Sequence, residues 1–175
     1  YVADEALLSR LCFSRFELLR HHERYVRLRL NDPDLLPEPV PRSGTFYYNP
    51  GRGCAVACTF CGGGRGAQLS LCARRGVVFL PPERVVAELS RLSRYGIGHW
   101  FTCFDPRPRG AYYPDLLARL AAEGLRLDVT FESWRLPSPA LLKAFADHAG
   151  PGSVVAVSPE SGSETVRWRN KGLPY

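Results

Sequence analysis

The chain has 175 residues, is 45% hydrophobic and 23% charged, and carries a formal net charge of +6. That is the composition of one soluble globular domain with a proper core, and no apolar run approaches the roughly 20 residues a membrane helix needs. The positive charge does not mark a nucleic-acid face: only Lys143 and Lys171 of the 23 basic residues are lysine, and the arginines are scattered over every segment rather than clustered.

Residues 3 to 30 read as helical, with Leu7, Leu8, Leu11 and Cys12 spaced for one face. Ser14 and Glu17 form a capping-box pattern that predicts a second helix, in which His21 and His22 sit on a solvated face. Asn31 to Arg42 holds Pro33, Pro37, Pro39 and Pro41, so it reads as the linker that closes a helical and proline-rich lead-in over 1–43, ahead of an incomplete domain over 44–175.

From Thr45 the chain alternates strand and helix. Strands are predicted at Thr45–Tyr48, His99–Phe104, Leu127–Phe131 and Val154–Val157, with a short apolar run at Val77–Leu80. Helices open at Pro81-Pro82, Pro114 and Ser138-Pro139, and end near Gly96, Gly124 and Gly150; another begins at Glu164. Repeating βα units predict an α/β fold with a parallel sheet. In such folds functional residues collect after the carboxyl ends of strands. The loop after Tyr48, Asp105, Glu132 and Glu160 all fall there, so one rim is expected to gather them.

The loop after the first strand carries the chemistry. Tyr47 to Gly66 reads YYNPGRGCAVACTFCGGGRG and places Cys54, Cys58 and Cys61 in a C-x3-C-x2-C run. Thiolates favour zinc, copper(I) or iron–sulfur centres. The glycines around them let the backbone approach a bound group closely and turn N–H groups toward sulfur. Three ligands rather than four point to a centre with one open position. The residues alone leave two other readings: a structural zinc module closed by Cys72 or a histidine, and an electron-transfer cluster with a fourth cysteine. Cys12, Cys72 and Cys103 otherwise read as small buried hydrophobes. Six cysteines of this distribution are no disulfide framework, so a reducing, cytoplasmic setting is expected.

With Phe60 just before Cys61, the run resembles the C-x3-C-x-(aromatic)-C signature of the radical S-adenosylmethionine superfamily. The resemblance implies a partial (β/α) barrel, here truncated to about four βα units behind a helical lead-in. It implies a 4Fe-4S cluster held by Cys54, Cys58 and Cys61, whose free iron chelates S-adenosylmethionine. An electron then cleaves the sulfonium to a 5′-deoxyadenosyl radical. Carried over residue by residue, Phe60 would pack near the cluster and the adenine. Asp105, in Phe104-Asp105-Pro106, stands where the family has a Gly-Gly-Glu-like segment for the amino group. Glu132 would meet the ribose hydroxyls, and Glu160, in Pro159-Glu160-Ser161-Gly162-Ser163, the ribose or methionyl part. Ser158 is a further candidate contact. Lys171, in Asn170-Lys171-Gly172, either pairs with the methionyl carboxylate or serves as a helix-end cation.

The pairing of GRGC with CGGG looks most like members that carry an upstream cobalamin-binding domain. That implies cobalamin as a cofactor of a longer parent, although no D-x-H-x-x-G motif occurs here. The resemblance also implies an electron donor such as flavodoxin or ferredoxin. The substrate, a small molecule or a peptide, is not identified by it. The absence of Met and the opening on Tyr1 fit a piece of a longer enzyme.

Overall fold

A computed structural model describes residues 4–27, 44–103 and 110–172. The element order is α1 (Glu5–Arg10), α2 (His22–Arg27), β1 (Gly44–Tyr47), β2 (Gly51–Arg52), α3 (Arg65–Cys72), β3 (Val78–Phe79) and α4 (Pro82–Ser93). Then come β4 (Ile97–Cys103), α5 (Tyr112–Ala122), β5 (Asp128–Ser133), α6 (Pro139–His148), β6 (Val154–Val157) and α7 (Glu164–Lys171). The proline-rich linker and Asp105 lie outside the described residues.

Four strands form a parallel sheet in the order β1-β4-β5-β6, while β2 and β3 pair as a separate antiparallel ribbon. The fold is therefore α/β, as the βα rhythm predicts, and agrees with a partial barrel of the radical S-adenosylmethionine type. The strand-to-helix transitions follow local chemistry. Pro82 and Pro139 sit in the first turns of α4 and α6, and the Ser138 hydroxyl accepts the Leu141 N–H. Gly96 and Gly124 end their helices at positive φ, where a Cβ would be strained.

The two faces of the sheet differ. Trp100, Val129 and Phe131 point into the helical layer, where Phe131 meets Tyr113 of α5 edge-on at 4.8 Å and Phe145 of α6 at 5.8 Å. Phe131 is fully buried, so truncating it to alanine costs about 3–5 kcal/mol. On the opposite face lie Tyr47, Phe101, Cys103, Thr130 and Glu132, none of them fully buried. His99 shares that face and is buried between two threonines: Nδ1 is 2.9 Å from Thr45 Oγ1, and Nε2 is 2.9 Å from Thr130 Oγ1. Trp100 and Tyr112, by contrast, are core residues, with the Trp100 indole N–H donating to the Tyr48 carbonyl at 2.7 Å.

The lead-in departs from the predicted helices. α1 stops at Arg10 because Leu11 turns extended, and Ser14 does not cap a helix but is buried, with its hydroxyl 3.7 Å from the Cys12 thiol. Tertiary contacts override the local pattern here. The Phe13 N–H donates to the buried Glu88 carboxylate of α4 at 3.2 Å, and Arg84 donates to the Leu11 carbonyl at 2.8 Å. Glu17 pairs with Arg15 and accepts the Tyr95 hydroxyl instead of closing a capping box. Leu8 and Phe16 thereby join the same hydrophobic cluster as the sheet and helices.

Candidate functional site

The parallel sheet places the carboxyl ends of β1, β4, β5 and β6 along one edge, and the candidate residues lie there. Cys54, Cys58 and Cys61 occupy the loop between β2 and α3, a helix the sequence pattern did not announce because all of its side chains stay at least partly exposed. Glu132 is the penultimate residue of β5 rather than the first residue after it, in register with Cys103 of β4 and Ala156 of β6. Ser158 and Glu160 follow β6, and Lys171 ends α7.

The cysteine loop is held from inside and from outside. Within it the Gly64 N–H donates to the Cys61 carbonyl at 3.4 Å, and the Arg65 N–H to the Val56 carbonyl at 2.8 Å. A Cβ on Gly64 would stand 3.2 Å from the Val56 carbonyl oxygen, so this turn is tight. From outside, α7 ties it down. The Thr59 N–H donates to the Asn170 carbonyl at 2.8 Å, and the Thr59 hydroxyl to Asn170 Oδ1 at 2.7 Å.

Two thiols already receive backbone donors: Val56 N–H to Cys54 Sγ at 3.4 Å, and Gly63 N–H to Cys61 Sγ at 3.3 Å. Such bonds stabilise sulfur that carries negative charge. Burial pushes the Cys58 thiol above its ordinary value, the Lys171 ammonium opposes that rise, and Cys61, Cys54 and Glu160 add to it. The charges that act on the Cys58 thiol are thus its two sister thiols and the Lys171–Glu160 pair.

Lys171 is buried, with its ammonium 3.0 Å from Glu160 Oε1 and donating to the Ser158 carbonyl. Glu160 itself takes a left-handed backbone with φ of 66°, uncommon for a residue with a Cβ. Phe60 is exposed and, with Glu160, Val166, Asn170 and Lys171, lines a cavity of about 340 Å³. Along the rim, burial pushes the Cys103 thiol up; Trp134 opposes this, Glu132 reinforces it, and Lys171 opposes it more weakly. Glu132 and Lys171 thus both act on the Cys103 thiol.

The donor set suits a cluster better than a single ion. A zinc ion with bonds of about 2.3 Å draws its sulfurs to within about 4 Å of one another. Among the described residues, no three His, Cys, Asp or Glu side chains are gathered to hold one metal ion. Cys72 is exposed at the far end of α3, neither a buried hydrophobe nor a fourth ligand folded onto the loop. A cubane takes one thiolate at each of three separate corners, so it accommodates a wider set of sulfurs on a loop with N–H donors. The residues present fit that group.

No helix among the described residues is long and apolar enough to cross a membrane. No curated protein and no solved structure matches the chain at a significant level. A family model described as the Radical SAM superfamily matches residues 48–175, from the end of β1 through the cysteine loop to the last residue. Members of that superfamily are enzymes, and the chain belongs to the radical S-adenosylmethionine superfamily.

Proposed function

We propose that Cys54, Cys58 and Cys61 hold a 4Fe-4S cluster, and that the rim beside it binds S-adenosylmethionine for reductive cleavage to a 5′-deoxyadenosyl radical. The observation that carries this reading is the family match over residues 48–175, which spans a C-x3-C-x2-C loop that α7 ties down through Thr59 and Asn170. When bound, the cluster supplies the electron and an open iron; the protein's residues bind, orient and exclude water.

Phe60 offers an exposed ring beside the Glu160–Lys171 pair, suited to cover an adenine. Glu132 presents a carboxylate on the partly open face, where it can accept two ribose hydroxyls. Lys171, held by Glu160 and the Ser158 carbonyl, is a preformed cation for a carboxylate, with Glu160 and Ser158 as its positioning partners. Asp105 completes the proposed contacts as the partner of the amino group.

The electron comes from a donor of the flavodoxin or ferredoxin kind. The spacing of the six cysteines is that of a metal loop rather than a disulfide framework, which suits a reducing, cytoplasmic compartment. The likeness of the GRGC and CGGG segments to members with an upstream cobalamin domain carries the further reading that a longer parent uses cobalamin.

The test is anaerobic reconstitution with iron and sulfide, followed by analysis of both elements. Iron and sulfide in equal amounts, lost together in Cys58→Ala, support the proposal. Iron without acid-labile sulfide, or zinc retained on purification, contradicts it.

A further inference from the structure

A larger cavity, of about 640 Å³, opens on the β1 edge next to the cysteine loop. Its wall contains two arginines, Arg52 and Arg74, and no carboxylate among the described residues. The guanidinium of Arg52 donates to the carbonyls of Asn49 at 2.6 Å and Gly51 at 2.7 Å, and sits 5.3 Å from the centre of the Phe13 ring. Arg74 donates to Gln68 Oε1 at 2.6 Å, while its Nε is buried and meets no partner among the described residues. None of these contacts cancels a charge.

Gly53 explains why the two arginines share one space. With φ of 95°, a Cβ there would come within 2.4 Å of the Gly76 carbonyl oxygen and 2.9 Å of Arg74 Cδ. The missing side chain lets Arg74 lie across the backbone that carries Arg52. Tyr47 and Trp134 add aromatic wall. Asn49 Oδ1 accepts the Cys103 N–H at 2.8 Å and the Thr102 hydroxyl at 3.1 Å, so the cavity is tied to the end of β4 and hence to the rim.

Two guanidiniums facing the same cleft without an acid repel each other, and low-dielectric walls concentrate their field on an anion. Guanidinium matches carboxylate and phosphate in shape and donors. Aromatic walls suit a flat apolar body. We propose that this cavity binds a small organic anion, a carboxylate or a phosphate ester with a planar apolar part, held by Arg52 and Arg74. Binding stands on this geometry alone; calling the ligand the enzyme's substrate rests on the function proposed for the cysteine loop.

The experiment is anaerobic calorimetric titration of the protein, before and after reconstitution with iron and sulfide, with phenyl phosphate and with benzoate, using phenol as the neutral control; the S-adenosylmethionine competition is run on the reconstituted protein. At least one anion binds saturably, phenol binds far more weakly, and Arg74→Gln weakens the anion about tenfold or more. Which anion binds more tightly separates a phosphate from a carboxylate source. Arg52→Gln is the harsher variant because Arg52 holds two carbonyls, so Arg74→Gln with an unchanged circular dichroism spectrum is the decisive one. S-Adenosylmethionine leaves the bound probe in place, and iron loading of Arg74→Gln equals wild type. The proposal is overturned if neither anion binds, if phenol binds as well, if Arg74→Gln keeps wild-type affinity, or if S-adenosylmethionine displaces the probe. It is equally overturned if iron loading falls while probe affinity holds, which would assign the arginines to balancing thiolate charge.

Discussion

Lys171 Nζ sits 3.0 Å from Glu160 Oε1, joining the last turn of α7 to the loop after β6. The pair is lopsided: the lysine side chain is 3% exposed and the glutamate 44%. Glu160→Ala leaves a buried ammonium with only the Ser158 carbonyl among the described residues, whereas Lys171→Met leaves a carboxylate that water can reach. The first variant is expected to be the more destabilising, by about 1–3 kcal/mol. Urea unfolding of both variants checks the order, and a larger loss in Lys171→Met would contradict it.

Asn170 fastens the cysteine loop through one side-chain and one backbone contact with Thr59. Asn170→Ala keeps the backbone bond but removes the Thr59 hydroxyl contact and the Nδ2 donation to the Val166 carbonyl, a cost of about 1–2 kcal/mol. Amide exchange over residues 54–64 is expected to quicken while that of the sheet stays constant. Unchanged exchange in the loop would show that α7 does not restrain it.

Cys72 separates two metal chemistries. Because it is exposed on α3, away from the loop's internal bonds, Cys72→Ser is expected to bind as much iron as wild type. Cys58→Ala is expected to lose it. Metal analysis after reconstitution decides, and an equal loss in both variants would restore a four-cysteine centre.

His99 gives the sheet a pH dependence. Burial holds its pKa below the ordinary 6.5, with Asp128 opposing weakly. The unfolded chain takes up a proton near 6.5 and the folded chain resists it. The stability His99 contributes is therefore full above about pH 6.5 and is lost as the pH falls below that value. His99→Gln keeps a donor and an acceptor for Thr45 and Thr130 but no titration. Wild type is expected to lose more stability than His99→Gln between about pH 7.5 and about pH 5. His21, His22 and His148 are common to both proteins, so parallel losses would refute the assignment.

Much of this architecture was legible because the sequence repeats a simple alternation. Pro82, Pro139 and Ser138 announce helix starts, Gly96 and Gly124 announce ends, and Val154–Val157 was bounded as found. The three-cysteine run and its aromatic Phe60 were equally plain. What escaped was set by partners distant in sequence. Ser14 and Glu17 looked like a capping box, but Glu88 of α4, 75 residues from Phe13, decides the course of that segment. α3 has no buried face, so no apolar stripe betrayed it. The Lys171–Glu160 bond left no local signal at all, since it depends on how β6 and α7 return to the rim. Arg52 and Arg74 likewise looked like two more members of a scattered set until Gly53 brought them together.

The central claim is an iron corner left open by three cysteines, and electron paramagnetic resonance of the reduced, reconstituted protein tests it most directly. The account predicts a 4Fe-4S signal that shifts when S-adenosylmethionine is added and disappears in Cys58→Ala. A cluster signal that S-adenosylmethionine leaves unchanged would contradict it.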